Sequence, residues 1–92
     1  MTPEQIQSEI AAPLLDLPIH LRDGLRDYLV HRQAPGGFLR AVLENDLSGA
    51  VLRADPISTT ALKDLVRFLD NHAPPSSHGS PRHVYLWLRG GS

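Results

Sequence analysis

Prolines and glycines cut this sequence into short segments, and this spacing constrains the fold more than any other feature. The 92 residues include eight prolines and seven glycines, and the longest stretch free of both covers residues 57–73. Within the segments, apolar residues recur at helical spacing, and no segment alternates apolar and polar residues for long enough to form a strand. The sequence therefore predicts an all-α fold, a compact bundle of five or six short helices.

Capping residues and helix breakers set the predicted boundaries. A first helix follows Thr2, which can form a capping box with Gln5, and it ends near residue 12 because Pro13 stops it. Pro18 opens the clearest helix, in which we interpret Gly24 as a site of close packing. Further helices are predicted at about 37–45, 47–54 and 57–72, although one bent helix over 37–54 fits almost as well. A loop over 73–81 precedes a last helix that starts at Ser80 and ends before residue 89.

The apolar positions of these helices predict the core. The residues expected to face inward are Ile6, Ile10, Leu21, Leu25, Tyr28, Leu29, Phe38, Leu39, Val42, Leu43, Leu47, Ala50, Val51, Ala54, Leu62, Leu65, Val66, Phe68, Leu69, Val84, Trp87 and Leu88. A chain of this length forms a single domain. We expect a helical domain over residues 17–90, with residues 1–16 either packed on it as a helix or extending as an arm.

Charge and composition exclude several classes of protein. Nine basic and ten acidic residues give a net charge of −1, and this balance is too neutral for a general nucleic-acid coat or a polybasic membrane anchor. No apolar stretch reaches the roughly 20 residues of a membrane span, and no secretory signal is recognised. The absence of cysteine excludes disulfides, thiolate chemistry and the usual sulfur-ligated zinc finger. We expect a cytoplasmic protein without membrane contact, with neither cofactor nor metal, and with a tendency to form homo-oligomers because its core is small.

One run of residues resembles a known group of proteins. The pattern Pro35-Gly36-Gly37-Phe38-Leu39-x-Ala41-Val42-Leu43-x-Asn45-Asp46-Leu47, continued by Arg53-Ala54-Asp55, Gly79-Ser80-Pro81 and Trp87, is similar to a family of small proteins encoded by tailed phages and prophages. The resemblance covers roughly residues 17–88. His78 stands where the family often has a tryptophan. The resemblance implies a phage-derived protein that acts on host machinery or host defence by binding rather than by catalysis.

Two predicted helix starts carry glycines close to arginines. Gly36 and Gly37 lie between Arg32 and Arg40, and exposed N–H groups at such a start can bind an anion. The second start contains Gly79, Ser80 and Arg82. If the two starts meet, they form a pocket for an anionic, nucleotide-like ligand, with Trp87 or Tyr85 stacking on its base. Each start also has a simpler interpretation: a sharp bend between helices for the first, and an ordinary N-cap for the second.

Other functions remain open. The main alternative is a protein–protein inhibitor or adaptor that binds a host or phage protein through an exposed apolar patch on the last helix. His72, His78 and His83 lie close together in the sequence, but their spacing matches no metal-ligand pattern. The polar residues around Asn45 and Asp46 are explained by helix capping, and no catalytic motif is recognised. We therefore predict no catalytic residues.

Overall fold

The computed structural model describes residues 2–90, and its first helix is built as the sequence predicts. Helix α1 spans Pro3–Ile10. Thr2 accepts a hydrogen bond from the N–H of Gln5 at 3.1 Å, and the Gln5 side chain accepts one from the Thr2 N–H at 2.8 Å, which completes the capping box. The helix ends slightly before residue 12, and Pro13–Asp16 forms a 3-10 helix.

Helix α2 spans Ile19–His31 and packs closely on the next helix, α3. A Cβ atom at Gly24 would lie 2.9 Å from Cδ1 of Leu39, which is buried. The glycine therefore lets the two helices approach, as predicted from the sequence. Helix α2 ends at Arg32, which adopts left-handed geometry with φ 57°.

Residues 37–54 form two helices rather than one bent helix. Helix α3 spans Gly37–Leu43 and helix α4 spans Leu47–Arg53. Between them, Asn45 has a left-handed φ of 62°, and the Asp46 side chain accepts a hydrogen bond from the N–H of Gly49 at 3.0 Å. The chain therefore stops one helix and caps the next within a few residues.

The last two helices also begin after side chains that cap them. Helix α5 spans Pro56–His72, and the Asp55 side chain accepts from the N–H of Ser58 at 2.6 Å. Helix α6 spans Pro81–Leu88, and Ser80 accepts from the N–H of His83 at 3.1 Å. A short 3-10 helix, Pro75–Ser77, lies in the predicted loop. Residues 2–90 contain six α-helices and no strand, which confirms the predicted all-α bundle.

The core includes residues from both ends of the chain. Ile6, Ile10 and Leu14 are 4% exposed or less and belong to the same buried cluster as Leu25 and Val84. Helix α1 is therefore part of the bundle and not an arm. The helices described for residues 2–90 are all too short or too polar to cross a lipid bilayer.

Candidate functional site

The two glycine-bearing helix starts lie at opposite ends of α3. Gly36 and Gly37 form the N-terminal end of this helix. The N–H of Gly79 donates to the carbonyl of Leu43, at the C-terminal end of the same helix, over 2.8 Å. Seven residues of α-helix span about 10 Å, so the two starts are a helix length apart. The predicted pocket shared by both starts is therefore wrong.

At the second start, Gly79 and Ser80 already form hydrogen bonds within the protein. The Gly79 N–H is already bound to Leu43, and the φ of 111° at this residue explains why glycine stands there. Ser80 caps α6 and also lies 2.7 Å from Nδ1 of His83. Arg82 is exposed on the first turn of α6. The simpler interpretation of Gly79 and Ser80, an N-cap, fits these contacts.

The first start is shaped by packing. A Cβ atom at Gly37 would lie 3.1 Å from Cδ of Arg53, so the glycine leaves room for that arginine against the beginning of α3. Gly36 is the extended N-cap residue and has open space around it. Arg40 forms an ion pair with Glu44, with 2.9 Å between Nε and Oε2. Arg40 therefore points along its own helix to a carboxylate one turn away.

Trp87 and Arg32 form a buried contact that the sequence did not predict. Trp87 is 2% exposed, and its indole N–H donates to the carbonyl of Tyr28 at 2.9 Å. The Arg32 guanidinium lies 3.6 Å from the centre of the indole ring and donates to the Trp87 carbonyl at 2.9 Å. The predicted ligand-stacking role of Trp87 is therefore wrong, because its ring is covered on the inside of the protein. Tyr85, 53% exposed, is the aromatic residue of α6 at the surface.

A serine, a histidine and an aspartate meet where α2 approaches α5, although they are far apart in the sequence. Nε2 of His20 lies 3.1 Å from Oγ of Ser58 and 3.8 Å from Oδ2 of Asp55. A catalytic triad needs the carboxylate on the other ring nitrogen, where it orients the histidine as a base. Here both partners share Nε2, and Ser58 is only 3% exposed. The cluster therefore joins two helices and does not activate the hydroxyl. No local motif in the sequence could have indicated it.

Removing this contact should have a small effect on stability. We expect Ser58→Ala to lower the free energy of unfolding by about 1 kcal/mol, because a buried hydroxyl loses its bond to His20. Urea denaturation of Ser58→Ala and Thr60→Ala provides the measurement. The Thr60 hydroxyl bonds only to the backbone of its own helix, at Pro56, so its loss should matter less. Equal losses in both variants would contradict this role for Ser58.

The histidines near the last loop contact different partners and do not form one cluster. Nδ1 of His72 lies 3.2 Å from Oε1 of Glu9, which ties α5 to α1. Nδ1 of His78 lies 3.0 Å from Oγ of Ser77, and burial lowers the pKa of His78, while Asp70 partly opposes that shift. Within residues 2–90, no three histidine, aspartate or glutamate side chains are grouped so that they could hold a metal ion.

Exposed apolar side chains concentrate on α4 and α5. Among residues 2–90, the large apolar residues exposed by 47% or more are Leu15, Ile19, Leu47, Val51, Leu52, Ile57, Val66 and Tyr85. We call Leu47, Val51 and Leu52 the α4 face. Leu47 also lines a small cavity of about 90 Å³ with Val42, Ala50, Leu62 and Val66, at the boundary between α4 and α5. The predicted patch on the last helix is wrong, because Tyr85 is its one strongly exposed large apolar residue within the described chain.

Comparison with known proteins gave no match to a protein-family model, to a curated protein or to a solved structure. The resemblance to phage proteins therefore stays a prediction from the sequence.

Proposed function

We propose that the protein is a phage-derived, non-enzymatic binding protein. It acts in the bacterial cytoplasm as an inhibitor or adaptor that binds a host protein through the α4 face. The observation that carries the proposal is the orientation of α4. Only Gly49 and Ala50 of this helix are buried, while Leu47, Val51 and Leu52 are 69%, 51% and 84% exposed. A helix that turns its small residues inward and its large apolar residues outward is suited to contact another protein.

A partner that covers the α4 face would bury three large apolar side chains. Burying a valine or leucine side chain that is otherwise in water contributes about 1.5–3 kcal/mol. Three such residues on one short helix can supply the apolar centre of an interface, where a few residues carry most of the binding energy. The adjoining cavity beside Leu47 could accept one small aliphatic side chain from the partner. The phage origin and the host target come from the resemblance described above.

Two other functions have less support from the described residues. A nucleotide-like ligand was predicted from a pocket between two helix starts, and those starts are separated by the length of α3. Catalysis would need an activated nucleophile, and the Ser58 hydroxyl, which is buried, has no base oriented by a carboxylate. A protein partner is therefore the function that the surface favours.

Capture of a partner with matched surface variants tests the proposal. We expect the immobilised protein to retain one stoichiometric partner from a bacterial lysate, and Leu52→Glu to weaken binding of that purified partner at least about tenfold. Leu15→Glu is the matched control, because Leu15 is also well exposed, at 66%, but lies outside α4. Equal loss in both variants, or no loss in either, would contradict the α4 face as the binding surface.

A second measurement addresses the nucleotide alternative directly. Thermal unfolding with a panel of cyclic nucleotides and nucleoside diphosphates should leave the melting temperature of the wild-type protein unchanged. A ligand that binds only the folded state raises that temperature, and the rise increases with the logarithm of the ligand concentration once this exceeds the dissociation constant. A rise that disappears in Arg40→Ala would instead restore the anion-binding prediction.

A further inference from the structure

We infer that a pocket between α3, the end of α5 and the loop that follows binds a small organic cation, an ammonium or guanidinium group on a short aliphatic stem. The pocket has a volume of about 390 Å³, within the roughly 300–1,000 Å³ of small-molecule sites. We call it the loop pocket. Its lining includes three apolar and three polar side chains, those of Val42, Val66, Leu69, Asn45, Asp70 and His78. The inference goes beyond the proposed function, because it needs no host protein and no residue of the α4 face.

The charges around the loop pocket favour a cation. Among residues 2–90, Asp70 is the only aspartate, glutamate, lysine or arginine that lines it. The Asp70 carboxylate forms no ion pair within the described part of the chain. Ala73, the C-cap residue of α5, also lines the pocket. Because the C-terminal end of a helix carries a partial negative charge, this end of α5 adds to the attraction for a positive group.

His78 adds a hydrogen-bond acceptor to the pocket. The hydroxyl of Ser77 donates its one proton to the carbonyl of Pro74 at 2.6 Å, so its oxygen accepts from Nδ1 of His78, 3.0 Å away. Burial lowers the pKa of His78, although Asp70 opposes that shift, and so favours the neutral ring. In a neutral ring with the hydrogen on Nδ1, Nε2 keeps its lone pair. No hydrogen bond within residues 2–90 uses that lone pair.

These groups together select the class of ligand. A carboxylate and a ring nitrogen both accept hydrogen bonds, and an ammonium or guanidinium group supplies several donors with the opposite charge. Val42, Val66 and Leu69 offer an apolar wall for a short stem. An anion would instead meet the charge of Asp70, and a neutral alcohol would gain no charge pairing.

Two cationic side chains of α5 lie near the loop pocket but outside it. Lys63 and Arg67 line a neighbouring groove with Val66 and Asp70, and neither lines the loop pocket. Arg67 stands one turn before Asp70 and forms no ion pair with it. Since a pair at this exposed position would contribute little, Arg67 competes only weakly with a bound cation. Removing its charge should therefore not weaken binding.

Nuclear magnetic resonance titration of the isotope-labelled protein tests the pocket, at constant pH and ionic strength. With n-butylamine and n-butylguanidine, we expect amide shifts at Asn45, Asp70 and Gly79 that saturate with a dissociation constant on the order of 1 mM. n-Butanol has the same stem without the charge and should bind at least about tenfold more weakly. No saturable shift with either cation, or equal binding of n-butanol or butyrate, would overturn the inference.

Matched variants assign the binding to Asp70. Asp70→Asn should raise the dissociation constant for n-butylamine at least about tenfold. Asp64→Asn, on the same helix but in a different groove, should leave it unchanged, and Arg67→Gln should not raise it. An unchanged affinity in Asp70→Asn, or an equal loss in Asp64→Asn or Arg67→Gln, would place the cation elsewhere and overturn the inference.

Two sources offer this chemistry, a free amine or guanidine and the side chain of a lysine or arginine in another protein. Putrescine and agmatine represent the first source, and the methylamides of N-acetyl-lysine and N-acetyl-arginine represent the second. Tighter binding of one pair identifies the source and supports the loop pocket in either case. If neither pair binds, the inference is overturned.

Discussion

Replacing Trp87 with alanine should lower the free energy of unfolding by about 3–5 kcal/mol, the range for truncating a large buried aromatic residue. Stabilities of small domains are about 5–15 kcal/mol, so this loss removes a large share of the total. The side chain is 2% exposed, and its ring centre lies 6.4 Å from that of Tyr28 in a tilted arrangement. Trp87→Ala therefore leaves a cavity between α2 and α6.

Trp87→Ala also removes the aromatic partner of Arg32, and this loss adds to the cost of the cavity. The Arg32 guanidinium now lies 3.6 Å from the centre of the indole ring, and alanine would leave that face of the cation without its aromatic partner. Urea denaturation followed by far-UV circular dichroism measures the effect, at a concentration low enough to avoid association. Tyr85→Ala is the control on the same helix, because Tyr85 is 53% exposed, and it should cost much less. Comparable losses would show that Trp87 is not part of the core.

The sequence predicted the helices well because their signals are local. The capping residues Thr2, Asp46, Asp55 and Ser80 all make the side-chain hydrogen bonds that their positions suggest. The break at Asn45 is also local, since its left-handed backbone ends α3 within one turn. Where the signal lies within four residues, the pattern and the structure agree.

The candidate site was predicted poorly because it depends on how helices pack. The hydrogen bond between Gly79 and Leu43 joins distant segments and places the second helix start at the end of α3 opposite the first. Trp87 was predicted both as a core residue and as a stacking residue of the ligand pocket. Its burial and its hydrogen bond to the Tyr28 carbonyl confirm the first prediction and exclude the second. Helical periodicity gives the side of a helix on which a residue lies, but not what that side faces.

Helix α4 shows most clearly that helical periodicity alone does not predict which residues are buried. Its apolar pattern predicted that Leu47, Ala50 and Val51 face inward. Ala50 is buried as predicted, but Leu47 and Val51 are exposed, and Gly49 faces the core beside Ala50. The turn at Asn45 and Asp46 reorients the chain after α3, so the apolar stripe of residues 37–54 does not continue along one direction. A helix of seven residues is held by its cap and its small residues. The side chains that a longer helix would bury are then free to contact another protein.

Tyr28→Phe should lower the free energy of unfolding by about 1–2 kcal/mol at neutral pH. Tyr28 is buried on α2, and its hydroxyl donates to the carbonyl of Ser77 at 2.6 Å. This bond anchors the loop before α6 to the core. Phenylalanine keeps the ring in place but leaves the Ser77 carbonyl without this donor, so the cost comes from the hydrogen bond and not from packing.

The same substitution should remove a loss of stability at alkaline pH. Burial raises the pKa of Tyr28 well above its ordinary value of about 10, although the charges of Arg32 and Arg40 oppose that shift. Above about pH 10 the unfolded chain loses this proton while the folded chain keeps it, so the free energy of unfolding falls by up to about 1.4 kcal/mol per pH unit. Tyr28→Phe lacks this term, and the wild-type and variant stabilities should therefore converge between about pH 10 and pH 12 in urea denaturation. Tyr85→Phe should retain the wild-type slope, and parallel curves for the wild-type protein and Tyr28→Phe would mean that Tyr28 does not govern the alkaline transition.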